Sequence, residues 1–150
     1  SDSRPNAEME RELGAKQVPL ETLLAEADYI SIHTPLTPET RHMISTKELA
    51  MMKPTTILIN TSRGPVIDEQ ALVEALRSRT IWGAGLDVFE NEPYVNPELF
   101  KLDNVVMTPH IGTATPDARR AMAVMAAQNV LDIMEGKMPI GIVNREVINK

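Results

Sequence analysis

Three side chains able to bind or move charge follow apolar runs in this chain. Arg63 comes after Ile57-Leu58-Ile59-Asn60-Thr61-Ser62, Glu92 after Gly85-Leu86-Asp87-Val88-Phe89-Glu90-Asn91, and His110 after Val105-Val106-Met107-Thr108-Pro109. A guanidinium grips a carboxylate through two parallel hydrogen bonds. An imidazole exchanges a proton near neutral pH, and a neighbouring carboxylate holds its tautomer and favours its charged form. Together the three suit an anionic substrate that undergoes proton transfer. Ser62 has no histidine partner in the pattern, so a serine hydrolase is a poor fit. The 3 histidines lack helical or cysteine companions, and no metal site is expected.

Each of these residues also has a plainer reading. Arg63 fits a surface arginine beyond a strand, His110 a loop histidine satisfied by backbone groups, and Asp87 a simple loop cap. Glu90 competes with Glu92 for the carboxylate role. His33 and His42 read as structural, while Thr40 and Arg41 are candidates for touching a cofactor. Spacing alone leaves these alternatives open.

The elements that must carry such residues alternate. The pattern predicts helices over 6–13, 20–27, 46–52, one opening after Asp68, and 116–135, and strands over 16–18, 29–33, 56–60, 83–88 and 105–108. Ser45 stands three residues before Glu48, a capping-box spacing. Asp68 caps a helix whose Ala71, Leu72, Ala75 and Leu76 share one face. The β-branched run at 56–60 reads as a strand buried on both faces. The last helix carries an apolar stripe of Ala118, Ala121, Met122 and Met125, Trp82 is expected to pack at a strand start, and the methionines to fill the core. Strands alternating with helices imply a parallel sheet with right-handed crossovers, and ligands bind such sheets at the carboxyl ends of the strands. The loops after His33, Asn60, Val88 and Thr108 are therefore the ones to watch.

Composition narrows the setting. With 43% hydrophobic and 24% charged residues, the 150-residue chain is ordinary globular protein with material for one core. A net charge of −6 offers no basic footprint for nucleic acid or anionic membrane. There is no cysteine, which excludes disulfides and thiolate metal sites. No apolar run approaches the roughly 20 residues of a membrane span, and Ser1-Asp2-Ser3-Arg4 does not read as a signal peptide. The expectation is a cytoplasmic protein.

Three linked runs, Ile59-Asn60-Thr61-Ser62-Arg63-Gly64, Gly85-Leu86-Asp87-Val88-Phe89 with Glu92-Pro93, and Thr108-Pro109-His110-Ile111-Gly112, closely resemble the D-2-hydroxyacid dehydrogenase family. The resemblance extends from about Asp2 to Asn144. Residues 98–104 and the ending Val143-Asn144-Arg145-Glu146-Val147 look most like its glyoxylate and hydroxypyruvate reductases. The resemblance implies a Rossmann-like α/β fold, a parallel sheet with helices on both faces, and hydride transfer between NAD or NADP and a small 2-oxo or 2-hydroxy acid. It implies that Arg63 holds the substrate carboxylate, that His110 is the general acid and base, and that Glu92 orients His110. Asp2, Thr34, Pro35, Thr61, Ser62, Arg63, Asp87, His110 and Gly112 would line the cofactor groove, and the protein would be a homodimer. Asp2 matches the acidic residue that binds the adenosine ribose and favours NAD, while Ser3-Arg4 favours NADP.

The departures set alternatives. The family's first strand and Gly-rich pyrophosphate turn have no counterpart here. The chain therefore reads as a partial cofactor domain over 1–135, with 136–150 belonging to the substrate-binding domain. A corepressor resembling these dehydrogenases, an inactive remnant, and an enzyme acting on 3-phosphoglycerate are the other readings.

Overall fold

The computed structural model describes residues 1–2 and 7–145. The predicted helix start at Asn6, the Ser3-Arg4 pair and the Glu146-Val147 ending lie outside them. Two compact units are distinguished, Ser1–His110 and Ile111–Lys150.

The first unit holds α1 (Ala7–Leu13), α2 (Leu20–Glu26), β1 (Tyr29–Ile32), α3 (Thr46–Met51), β2 (Ile57–Asn60), α4 (Glu69–Arg77), β3 (Gly83–Leu86) and β4 (Val105–Met107). The four strands form one parallel sheet in sequential order. Parallel neighbours need a crossover, which α3 supplies between β1 and β2, α4 between β2 and β3, and the segment 87–104 between β3 and β4. Crossovers of one hand in a sequentially ordered sheet lay successive helices on the same side, and α3 indeed packs against both α2 and α4.

Burial follows from this arrangement. Ile30, Ile32, Leu58, Ala84 and Leu86 point into the helical layer, where they meet Leu24, Ile44, Leu49, Leu72, Leu76 and Leu99. Each of these leucines and isoleucines contributes about 1.5–3 kcal/mol relative to exposure. The alternate positions are open: Tyr29 and Val106 are each 72% exposed. Ile57 and Ile59 are only half-buried, so β2 is not covered on both faces as its composition suggests. Trp82 opens β3 yet is 62% exposed, against the expectation that it packs there.

Local chemistry starts the helices where expected. The Ser45 backbone N–H donates to Glu48 Oε2 at 3.2 Å, the carboxylate half of a capping box. Asp68 Oδ1 accepts from the Ala71 N–H at 3.1 Å, and its Oδ2 accepts from Ser45 Oγ at 2.9 Å, so one carboxylate joins the starts of α3 and α4. Residues 16–18 form no strand; they join no ladder among the described residues.

In the second unit, α5 (Pro116–Met134) starts where Thr115 Oγ1 accepts from the Ala118 N–H at 3.2 Å, with Pro116 in the first turn. It ends at Gly136, whose φ of 69° suits a helix stop. No residue of α5 is buried, and Met122, Val124, Met125 and Val130 are all exposed. Its apolar residues are spread around the helix, so the predicted apolar stripe and the role of these methionines as core filler do not hold here. No helix among the described residues is long and apolar enough to cross a membrane.

Candidate active site

The register sets Asn60 beside Leu86, and Leu86 beside Met107. Three strands thus end side by side, and the loops bearing Arg63, Glu92 and His110 leave the sheet at the same edge.

Asn60 shapes the first of these loops. It is 1% exposed, and its Oδ1 accepts both the N–H and the hydroxyl of Ser62 at 3.0 Å, while its Nδ2 donates to the Arg63 carbonyl at 3.0 Å. This Asx-type turn satisfies the strand end and leaves Arg63 extended and exposed. The Arg63 side chain donates from Nη1 to the Ser62 carbonyl at 2.7 Å. Gly64 follows because nothing else fits: a Cβ there would stand 1.9 Å from the Phe89 carbonyl oxygen. Glycine at this point presses the Arg63 loop against the loop of Glu92.

Glu92 and His110 form a direct pair. Glu92 Oε2 lies 2.8 Å from His110 Nδ1, and its Oε1 accepts from the Phe89 N–H at 2.9 Å. Partial burial pushes the Glu92 carboxyl up, but the hydrogen bonds from His110 and Phe89, with the charges of His110 and Arg63, outweigh it and hold it below the usual carboxylate range. An ionised carboxylate only accepts, so the shared hydrogen sits on Nδ1 and Nε2 is left for other chemistry. His110 has a φ of 54°, the left-handed region that few side chains adopt, and its N–H donates to the Thr108 carbonyl at 3.0 Å. A cavity of about 330 Å³ beside the pair is lined by Phe89, Glu92, Pro93, Phe100, Met107 and His110. Its mostly apolar walls strengthen charge interactions at their edge.

The two competing carboxylates have separate partners. Glu90 Oε1 lies 2.7 Å from His42 Nε2, whereas Glu92 meets His110. His33 is satisfied by Ser31, Nε2 to Oγ at 2.8 Å. Thr40 donates to the Pro35 carbonyl at 2.7 Å, and Arg41 Nη2 lies 3.6 Å from Glu90.

Of the residues expected to hold a cofactor, Asp87 is buried after β3 and accepts from the Thr108 hydroxyl at 2.5 Å. Thr34 follows β1, and its Oγ1 is buried with no partner among the described residues. Such an unmet donor at a strand end fits a site completed by a bound polar ligand. Pro35 and Thr61 are exposed nearby in sequence to these strand ends, and Ser62 is bound by Asn60. Asp2 lies outside any strand, and its carbonyl accepts from Gln17 Nε2 at 2.8 Å. Gly112 falls in the second unit. Among the described residues no group of acidic or histidine side chains is arranged to hold a metal ion.

Sequence patterns did not single out Asn60 as an anchor or His42–Glu90 as a pair. Asn60 carried a usable signal, an Asn two residues before a Ser at a strand end. His42 and Glu90 are 48 residues apart and carried none.

A sequential parallel sheet with polar chemistry gathered at its strand ends defines a nucleotide-binding α/β domain of the Rossmann-like class. The chain belongs to the D-isomer specific 2-hydroxyacid dehydrogenase family, whose NAD binding domain matches residues 1–112. It is 57% identical over 141 residues to a glyoxylate reductase of Thermococcus litoralis, an alignment covering 94% of this chain and 43% of that protein. Among solved structures, holo D-mandelate dehydrogenase of Rhodotorula graminis superposes with a TM-score of 0.87 at 38% identity, covering 95% of this chain and 43% of that one. A glyoxylate reductase of Paecilomyes thermophila gives 0.83 at 41% identity, covering 91% and 41%. The chain thus spans less than half the length of these relatives.

Proposed function

We propose that this chain supplies the acid–base machinery of an NAD(P)-dependent reductase that converts a small 2-oxo acid, glyoxylate or hydroxypyruvate, to its 2-hydroxy acid. The observation that carries this reading is the Glu92–His110 bond of 2.8 Å, formed at the same sheet edge as Arg63. Its support in kind comes from relatives named glyoxylate reductase at 50–57% identity.

Bound nicotinamide supplies or accepts the hydride. Arg63 swings from the Ser62 carbonyl to hold the substrate carboxylate with its planar fork and to polarise the 2-oxo group. His110 gives the proton on Nε2 to the carbonyl oxygen as negative charge grows there, and takes it back in the oxidative direction. Glu92, kept ionised, holds the ring by Nδ1 and fixes its tautomer and orientation. Asp87 and Thr34, with Pro35, Thr61, Ser62 and Gly112, are the proposed cofactor contacts.

The proposed division is a cofactor-side domain over 1–135 and a tail over 136–150 belonging to the substrate-binding domain. The protein is proposed to act as a cytoplasmic homodimer. Asp2 is proposed to accept from the ribose 2′-hydroxyl and to repel a 2′-phosphate, which favours NAD. The expected result is reduction of glyoxylate with kcat/KM higher for NADH than for NADPH. Steady-state kinetics of the full-length protein with both cofactors checks this; preference for NADPH would remove Asp2 from its role, and no turnover with either would refute the reductase reading.

A further inference from the structure

Glu90 stands two residues before Glu92, yet its carboxylate is committed elsewhere. Its Oε1 lies 2.7 Å from His42 Nε2, with Arg41 Nη2 at 3.6 Å. Its Oε2 accepts from the Glu69 N–H at 3.2 Å, and Glu69 Oε2 accepts in return from the Glu90 N–H at 3.0 Å. Glu69 is buried, and only 16% of the Glu90 side chain is exposed. These bonds are charge-assisted and largely shielded from solvent, the conditions under which such bonds hold a loop firmly.

His42 is fixed from its other side. It adopts a φ of 52°, and its N–H donates to the Pro65 carbonyl at 2.8 Å. Pro65 lies two residues after Arg63, and Gly64 between them presses on the Phe89 carbonyl. Two hydrogen bonds and one close approach complete a ring: from His42 to the Arg63 loop through Pro65, from that loop to the Glu92 loop where Gly64 abuts Phe89, and back through Glu90. Phe89, whose N–H binds Glu92 at 2.9 Å, sits inside the ring.

We propose that His42 and Glu90 are positioning residues: their bond sets the loop after β3 so that Glu92 meets His110, in fixed relation to the loop bearing Arg63. The catalytic meaning of this rests on the reductase reading; the geometry does not, and the test reads geometry.

The experiment follows the Glu92 carboxyl by NMR titration of the chain labelled at glutamate carboxyl carbon, with folding checked by circular dichroism. Glu90→Ala is expected to raise the Glu92 midpoint towards the ordinary value of about 4.3, while Glu90→Gln, which still offers an acceptor and matches the shape, leaves it low. Removing a neighbouring negative charge would by itself lower Glu92, so a rise reports lost hydrogen bonds and not lost charge. His42→Asn provides the second variant, because asparagine tolerates positive φ but is too short to reach Glu90. The charges acting on Glu92 are those of His110 and Arg63, so a rise in His42→Asn is again positional. A Glu92 midpoint that stays low in folded Glu90→Ala or folded His42→Asn overturns the proposal. Because turnover is not the readout, failure of the reductase reading would leave this result standing, and its own failure would leave that reading intact.

Discussion

His110→Ala is expected to lower turnover of a 2-oxo acid by about 10²–10⁴-fold, the range for loss of a positioned general acid. The argument rests on one bond. Glu92 is held below the usual carboxylate range, so it binds Nδ1 as an acceptor only and leaves Nε2 as the group that can reach a substrate. Removing the ring removes the proton donor, while Phe89 still binds Glu92 and the loop persists. KM should change less than kcat, because the proposed holder of the substrate's carboxylate is Arg63 and not His110. Glu92→Gln should cost less and alter the pH profile in a definite sense. A carboxyl whose ionised form is favoured stays charged below the ordinary range, so its acid limb in kcat/KM falls below about pH 4.3. That limb should vanish in Glu92→Gln. Rate–pH profiles of the two variants check both statements, and a His110→Ala enzyme with unaltered turnover would contradict them.

Arg63→Lys is expected to reduce kcat/KM for 2-oxo acids by roughly 10–10²-fold, about what loss of a charge-assisted hydrogen bond of 1.5–3 kcal/mol amounts to. Lysine keeps the charge but lacks the planar fork. Arg63 is exposed and held to its own loop by one bond to the Ser62 carbonyl at 2.7 Å, so its replacement leaves Asn60 and Gly64 in place and the fold unchanged. Kinetics with glyoxylate, paired with a thermal melt, separates the two effects. Wild-type kinetics would put Arg63 outside the site.

Much of this architecture was legible in the amino-acid pattern because it depends on local chemistry. The strands predicted at 29–33, 56–60, 83–88 and 105–108 became the four parallel strands, and Ser45 with Glu48 and Asp68 started helices as their spacing required. Arg63, Glu92 and His110 stood out because each follows one of those strands. Other features depend on the tertiary arrangement and left no such trace. Residues 16–18 had strand-like content but find no neighbouring strand. Four apolar residues of α5 read as a stripe, but the others spread apolar surface around the helix and none is buried. Asn60 became an anchor only because the turn after β2 folds back on its amide; residue spacing left Glu90 and Glu92 level, the Glu92-Pro93 motif position favoured Glu92, and the structure gives the two carboxylates separate partners in His42 and His110.

The central claim is that hydride passes to a 2-oxo carbon beside His110. The most direct measurement supplies the full-length protein with glyoxylate and reduced nicotinamide cofactor deuterated at the transferable position, then examines the glycolate by mass spectrometry. The account predicts deuterium at the carbinol carbon in wild type, and its loss in step with turnover in Arg63→Lys and His110→Ala. Folded, cofactor-bound wild-type protein that yields no deuterated glycolate, hydroxypyruvate likewise giving no labelled product, would contradict it.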